Sequence, residues 1–315
     1  MQTLESLKRR IKSTQDLLSV VKTMKALAAV SIRQYQRAVE SLADYARNVE
    51  MGLQVVLQSR PREEMLTGTV PCTRAGAVVF GSDQGLCGQF NALVTSHALD
   101  ELDRLGLKPQ DRYILTVGER VKDLVTASGQ DIYDNLSTPS SIAGITPMVQ
   151  EMVLILEEWH FGAQIQHIYL YYNHYVSGAT YHPATLRLLP VDQEWLEQVR
   201  SRKWESKSLP MFTQDWQGLF LSLLREYLFV SLYRAFTESL ASENASRLAS
   251  MQNAEKNIQE HLEEIHVAYH RQRQMTITEE LLDIVAGYEA MKGDTRLGKD
   301  EEKQGRGMPG SRAAT

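Results

Sequence analysis

Apolar residues recur every seven positions along the first sixty residues. One seam runs Leu4, Ile11, Leu18, Lys25, Ile32, Val39, Ala46, Leu53, and the other runs Leu7, Thr14, Val21, Ala28, Tyr35, Leu42, Val49, Val56. Fourteen of these sixteen positions are apolar when alanine and tyrosine are counted. A seven-residue repeat held over eight heptads makes a helix that supercoils left-handed around a partner. At about 1.5 Å per residue, a helix from Leu4 to about Gln58 is roughly 80 Å long, too long for a compact core to cover. The nine prolines, at 61, 71, 109, 139, 147, 183, 190, 210 and 309, leave both ends of the chain free of the residue that breaks helix interiors. A second long helix is therefore expected from near Phe212 to about Met291. It is strongly apolar from Leu219 to Phe236, rich in small residues at Ala241–Ser246, and spaced with aliphatics again from Leu248 to Val285.

Between the helices the period changes. Ala75–Phe80 is a short buried-strand run, and Leu86–Leu105 is a helical stretch ending at Gly106. Arg112–Val117 predicts a second strand, Glu119–Ala127 a helix, and Pro147–Phe161 another. Gln164–Tyr172 alternates, and Tyr181–Leu189 is expected beside it as an antiparallel edge strand. Strands alternating with helices predict a layered, Rossmann-like α/β domain with a largely parallel sheet. The fold expected is a mixture of α+β and α/β character. A long antiparallel coiled coil joins the two chain ends, residues 1–58 and 211–291, and the α/β domain, residues 74–190, is inserted between them. Residues 59–73 and 190–210 are expected as connections, and 292–315, rich in glycine and charge, as a disordered tail.

Charge sharpens the pairing of the ends. Residues 1–50 carry nine Lys/Arg against five Asp/Glu, whereas 211–290 carry six against twelve. Opposite signs favour the two helices pairing with each other over self-pairing. The whole chain has a formal net charge of −5, which argues against nucleic acid as a partner. The longest apolar run, Leu219–Tyr233, is interrupted by Arg225 and Glu226, so no membrane span is expected. No secretory leader pattern precedes the first helix, and two cysteines fit a reducing, cytoplasmic compartment.

Candidate chemistry is sparse. Gly81-Ser82-Asp83-Gln84-Gly85-Leu86-Cys87-Gly88 follows a strand and opens a helix, where related folds cradle phosphate. Its glycine spacing matches neither the dinucleotide fingerprint nor a P-loop, and a tight strand-to-helix turn is the favoured reading. Cys87 near a helix start invites a reactive thiol, but no orienting base is placed for it, which favours a buried thiol. His266 and His270 share a helix face without a third metal ligand at recognisable spacing. No catalytic residue, cofactor or metal site is expected. Two other readings stay open on these residues alone: an α/β enzyme whose helices form a dimerisation stalk, and a coiled-coil scaffold.

Three stretches carry a family resemblance, covering about residues 1–290. Arg10-Ile11-Lys12-Ser13-Thr14-Gln15 with Lys22–Ala29, then Ser82–Asn91, then Ser242–Arg247 with Arg273–Leu281, are similar to motifs of the gamma subunit of F-type ATP synthases. The middle motif reads S-D-R-G-L-C-G-G-F-N in that family, and here Gln84 and Gln89 replace its arginine and third glycine. After Met24, Lys25-Ala26-Leu27 lacks the family's second methionine, and Val30-Ser31 replaces a more basic pair. The resemblance implies a central-stalk rotor that hydrolyses nothing itself. It implies as partners the alpha and beta subunits of the catalytic head, the epsilon subunit and the membrane c-ring. It places the chain peripherally at the cytoplasmic face of the cell membrane, with no direct membrane insertion. Met24, Arg247, Gln274, Thr278 and Glu280 align with positions that engage the head's catch loop or the neighbouring shaft helix. Asp83, Gly85, Cys87 and Gly88 belong to the signature turn.

Overall fold

A computed structural model describes residues 3–59, 72–204, 207–208 and 210–304, with side chains as far as residue 289. Two compact units divide the chain: Met1–Val20 with Glu255–Thr315, and Val21–Ala254. Helix α1 spans Leu4–Gln58 and helix α6 spans Trp216–Gln304. All sixteen heptad positions of α1 are buried or half-buried, Thr14 and Lys25 included.

In the first unit, the α1 seam of Leu4, Leu7, Ile11, Thr14 and Leu18 has a counterpart on α6. There Ile258, Leu262, Ile265, Tyr269, Gln272 and Thr276 are among the sheltered positions and are spaced alternately by four and three residues. That spacing is the signature of helix-on-helix packing with knobs in holes. Beyond Thr276 every described side chain to residue 289 is exposed, including Ile277, Leu281, Leu282, Ile284 and Tyr288.

The second unit holds the sheet and the remainder of both helices. Their antiparallel course is fixed at two points: Tyr45 donates to Glu226 at 2.6 Å, and eleven residues further along α1 the Val56 carbonyl accepts the Trp216 indole at 2.9 Å. The five strands are β1 (Ala75–Phe80), β2 (Arg112–Val117), β3 (Asp134–Leu136), β4 (His167–Ser177) and β5 (Thr180–Leu189). They lie in the order β3-β2-β1-β4-β5, with β5 antiparallel at one edge and the rest parallel. Helices α2 (Phe90–Arg104) and α3 (Glu119–Ala127) cover one face through Val94, Ala98, Leu102, Val121 and Val125, packed on Ala77, Val79, Ile114 and Tyr171. The other face carries Val78, Phe80, Leu115, Ile168 and Leu170. It is covered by α4 (Ile145–Phe161), by Leu232, Phe236 and Leu240 of α6, and by Tyr35 of α1. Helix α6 is thus a layer of the α/β domain, and both faces of the central strands are buried, as parallel sheets require.

Several expectations need correction. The stretch after β5, expected as a connection, contains helix α5 (Gln193–Ser201). Asp192 caps it by accepting from the Glu194 amide at 3.1 Å, Val199 is buried, and the Trp195 ring lies 4.6 Å from that of Tyr227. An Asp N-cap between two prolines was the overlooked signal. Strand β3 is only three residues long, too short for periodicity to reveal, and β4 runs five residues past the expected Tyr172. Helix α2 starts at Phe90 rather than Leu86, because the signature turn occupies the difference. Helix α6 starts at Trp216 and its backbone continues to Gln304, past the expected end near Met291. Gly293 and Gly298 weaken a helix without stopping it, and no proline stands between 210 and 309. Residues 305–315 of the expected tail and 60–71 of the first connection lie outside the described residues.

Gly118, between β2 and α3, meets two constraints at once. Its φ is +112°, and a Cβ there would sit 2.7 Å from the Ser82 backbone nitrogen and carbonyl carbon. Backbone strain of order 1–3 kcal/mol and overpacking of similar size should make Gly118→Ala destabilising by roughly 2 kcal/mol or more. A urea midpoint equal to the parent's would contradict this placement of the two loops.

Candidate functional site

The signature turn, Gly81–Asn91, leaves the carboxyl end of β1, where the Gly81 amide donates to Val117 at 2.8 Å. Asp83 ties three segments together. Its Oδ1 accepts the Glu119 amide at the start of α3 at 3.0 Å, and its Oδ2 accepts the amide and hydroxyl of Thr138 at 2.8 and 2.9 Å. A carboxylate suits a helix start, whose first amides lack intrahelical partners. Asn91 closes the turn from within: its Oδ1 accepts the Ser82 amide at 3.0 Å, and its Nδ2 donates to Ser82 Oγ at 2.9 Å.

Cys87 is buried in this turn, 3.6 Å from Ser82 Oγ and receiving Asn91 Nδ2 at 3.4 Å. Burial pushes its thiol above the ordinary value, and the Ser82 contact offsets that only in part. The thiol therefore acts as a packed group rather than a nucleophile. Gly85 has room around it, with the Arg120 side chain at ordinary contact distance from where a Cβ would lie. Gly88 is different: φ is +55°, and a Cβ would approach Ser250 Oγ and Ser246 Oγ to 3.2 and 3.3 Å. The turn is pressed against α6.

In open α/β sheets, ligands bind outside the carboxyl ends of the strands where the strand order reverses, and here that place lies between β1 and β4. Helix α6 fills it. Ser242 Oγ lies 2.7 Å from the Asn173 carbonyl of β4. Ser246 donates to the Cys87 carbonyl at 2.5 Å, so the Tyr181 hydroxyl, 3.0 Å away, is the donor to Ser246. Asn173, fully buried, donates to the Phe90 carbonyl at 3.0 Å. One turn earlier on the same face, Glu238 accepts His174 Nδ1 at 2.6 Å and Arg234 Nε at 2.8 Å. Ala241 and Ala245 alongside are buried and small, which lets the helix backbone come close.

Next to this stripe, Arg247 and Glu243 form an ion pair at 2.6 Å, with side chains 12% and 8% exposed. Arg247 also contacts Asn244 Oδ1 at 3.4 Å, while its Nε is buried without a partner. Burial pushes the Glu243 carboxyl above its ordinary value, against the pull of Arg247. Met24 is half-buried on α1. Gln274, Thr278 and Glu280 are exposed on α6, and the Thr278 hydroxyl donates to the Gln274 carbonyl at 2.8 Å. Of the sequence-predicted residues, the structure unites Asp83, Cys87 and Gly88 in one turn and Gln274 with Thr278 on one helix face. Sequence reading missed Glu243, Ser242, Ser246, Tyr181 and Asn173. The serine pair was visible only as a small-residue stretch, and nothing in the sequence shows which carbonyls it meets.

The family model described as ATP synthase matches residues 3–291. The chain belongs to the ATP synthase gamma-chain family. The gamma chain of Granulibacter bethesdensis is 30% identical over 307 residues, covering 92% of this chain and all of the relative. That of Brevibacillus brevis is 28% identical over 293 residues, covering 91% and 98%. Among solved structures, a chain of the Euglena gracilis mitochondrial ATP synthase, in its OSCP/F1/c-ring assembly in rotational state 3, superposes with a TM-score of 0.63. It is 15% identical and each chain is covered to 99%, a likeness of fold. In this gamma-family chain the cleft that α/β folds use for ligands is taken by the chain's own C-terminal helix.

Proposed function

We propose that this chain is the central-stalk rotor subunit of an F-type ATP synthase, coupling ion flow through a membrane c-ring to ATP synthesis or hydrolysis in the head. The observation that carries the reading is the paired helices of the two chain ends, in a chain matched to the ATP synthase family over residues 3–291. Its partners are the alpha and beta subunits of the catalytic head, the epsilon subunit and the c-ring. The chain itself catalyses nothing; its part is mechanical. It is a peripheral component at the cytoplasmic face of the cell membrane, and no described helix is long and apolar enough to cross a bilayer.

The exposed apolar positions of α6 beyond Thr276 support a surrounding partner, since a helix with Ile277, Leu281, Leu282, Ile284 and Tyr288 all in water calls for cover. Thr278 and Glu280 on the same segment and Gln274 just before it offer polar contacts, and Met24 and Arg247 complete the contact set with the head. Glu280 forms charge-assisted hydrogen bonds to the catch loop in this reading.

The test is recovery of the complex from detergent-solubilised membranes, followed by reconstitution. The chain is expected to co-purify with a hexameric ATPase head and rotor ring, and to hydrolyse no ATP alone. Glu280→Ala is expected to lower coupled ATP synthesis while leaving helicity intact. Recovery without any ATPase head would overturn the reading.

A further inference from the structure

We infer that Glu238, Ser242 and Ser246, one helical turn apart along α6, are the positioning residues that lock the α/β domain to the shaft against rotation about the helix axis. This rests on the rotor reading. Residues four apart on a helix lie on one face, one above the other, so the three form a stripe rather than a ring. Together they meet two parts of the domain: Glu238 takes His174 and Ser242 reaches the Asn173 carbonyl, both on β4, and Ser246 reaches the Cys87 carbonyl of the signature turn. Tyr181 of β5 donates to Ser246 from the far edge of the sheet. The stripe therefore spans the β1 turn and both strands of the β4–β5 hairpin.

Chemistry separates this stripe from the apolar contact beside it. Packing of Phe236, Leu232 and Leu240 on the sheet is strong but non-directional. Hydrogen bonds lose strength steeply when bent, so a small rotation of the helix breaks them. Two of the acceptors are backbone carbonyls, which move only with their strand or turn. The buried alanines at 241 and 245 and the glycine at 88 remove the side-chain slack between the two bodies. The hydroxyl of Ser246 has one hydrogen, used on Cys87, and its oxygen accepts from Tyr181. Both of these roles end when the hydroxyl is removed.

The test uses the assembled ATP synthase carrying Tyr181→Phe, Ser246→Ala, or Ser242→Ala with Ser246→Ala. Two quantities are read: ions pumped per ATP hydrolysed, and amide hydrogen exchange in residues 82–91 and 173–182. Each hydrogen bond removed is expected to speed local exchange by about two- to tenfold. Ions pumped per ATP should fall in the same order, from Tyr181→Phe to the double variant, with head ATPase retained. A merely structural role would lower pumping and hydrolysis together and leave their ratio unchanged. Faster exchange with a wild-type ratio overturns the inference, and so does exchange that does not change. If the double variant fails to assemble, the two single variants decide. Failure of the wild-type chain to assemble with any ATPase head counts against the rotor reading instead.

Discussion

Replacing Phe236 by alanine should destabilise the second unit by about 3–5 kcal/mol, the range for truncating a fully buried aromatic. Phe236 is completely buried on α6, and its ring stacks on Phe80 of β1 with centroids 5.3 Å apart. It belongs to the cluster that joins α6 to the sheet and α4, together with Trp159, Leu115 and Leu170. Collapse around the cavity is restricted, because the ring is held between a central strand and a long helix. Denaturant unfolding of the purified chain measures the loss. A change below about 0.5 kcal/mol, the scale of an ordinary surface substitution, would mean that α6 does not form a layer of the α/β domain as described. Phe80→Ala, on the other side of the same contact, should cost a similar amount. The double variant should cost less than the sum of the two, because the partners share the interaction.

The second large effect is electrostatic. Arg247→Gln should lower stability at neutral pH by about 3–5 kcal/mol, because it leaves a buried carboxylate without its counter-charge. The pH dependence follows from Glu243. Burial already holds its folded-state value above the ordinary 4.5 despite Arg247, and removing the guanidinium raises it further. The folded state then binds a proton that the unfolded chain has released. Stability from this group is therefore complete below about pH 4.5 and is lost as pH rises through the folded value. The deficit of Arg247→Gln relative to the parent should be largest near pH 7–8 and shrink towards pH 5. Urea midpoints across that range measure it, and Glu243→Gln in the same background should flatten the profile. A deficit independent of pH would show that the pair does not hold this region together. Both Arg247 and Glu280 stand in the proposed contact set with the head, but only Glu280 is free of this internal duty.

How much of this was legible beforehand depended on the length scale of the signal. The heptad of α1 was readable residue by residue, down to the sheltered Thr14 and Lys25, because fifty-five residues of repeat outweigh any local preference. The strands β1 and β2 and the helix α3 appeared at their observed bounds, since turns at Gly81 and Gly118 and short apolar runs punctuate them. Short elements did not announce themselves: β3 has three residues, and α5 has nine between prolines and tryptophans. The signature turn was recognisable as a strand-to-helix bend. Its docking on α6 was not, because Cys87 and Ser246 are 159 residues apart and meet through a backbone carbonyl. Arg247 was legible as a contact residue but not as half of a buried ion pair, for the Glu243 that claims it reads in sequence as one more charged helix position.

With α6 seated at the β1–β4 reversal, an adenine nucleotide would have to displace Ser242 and Ser246 and prise the spindle from its hub before it could enter.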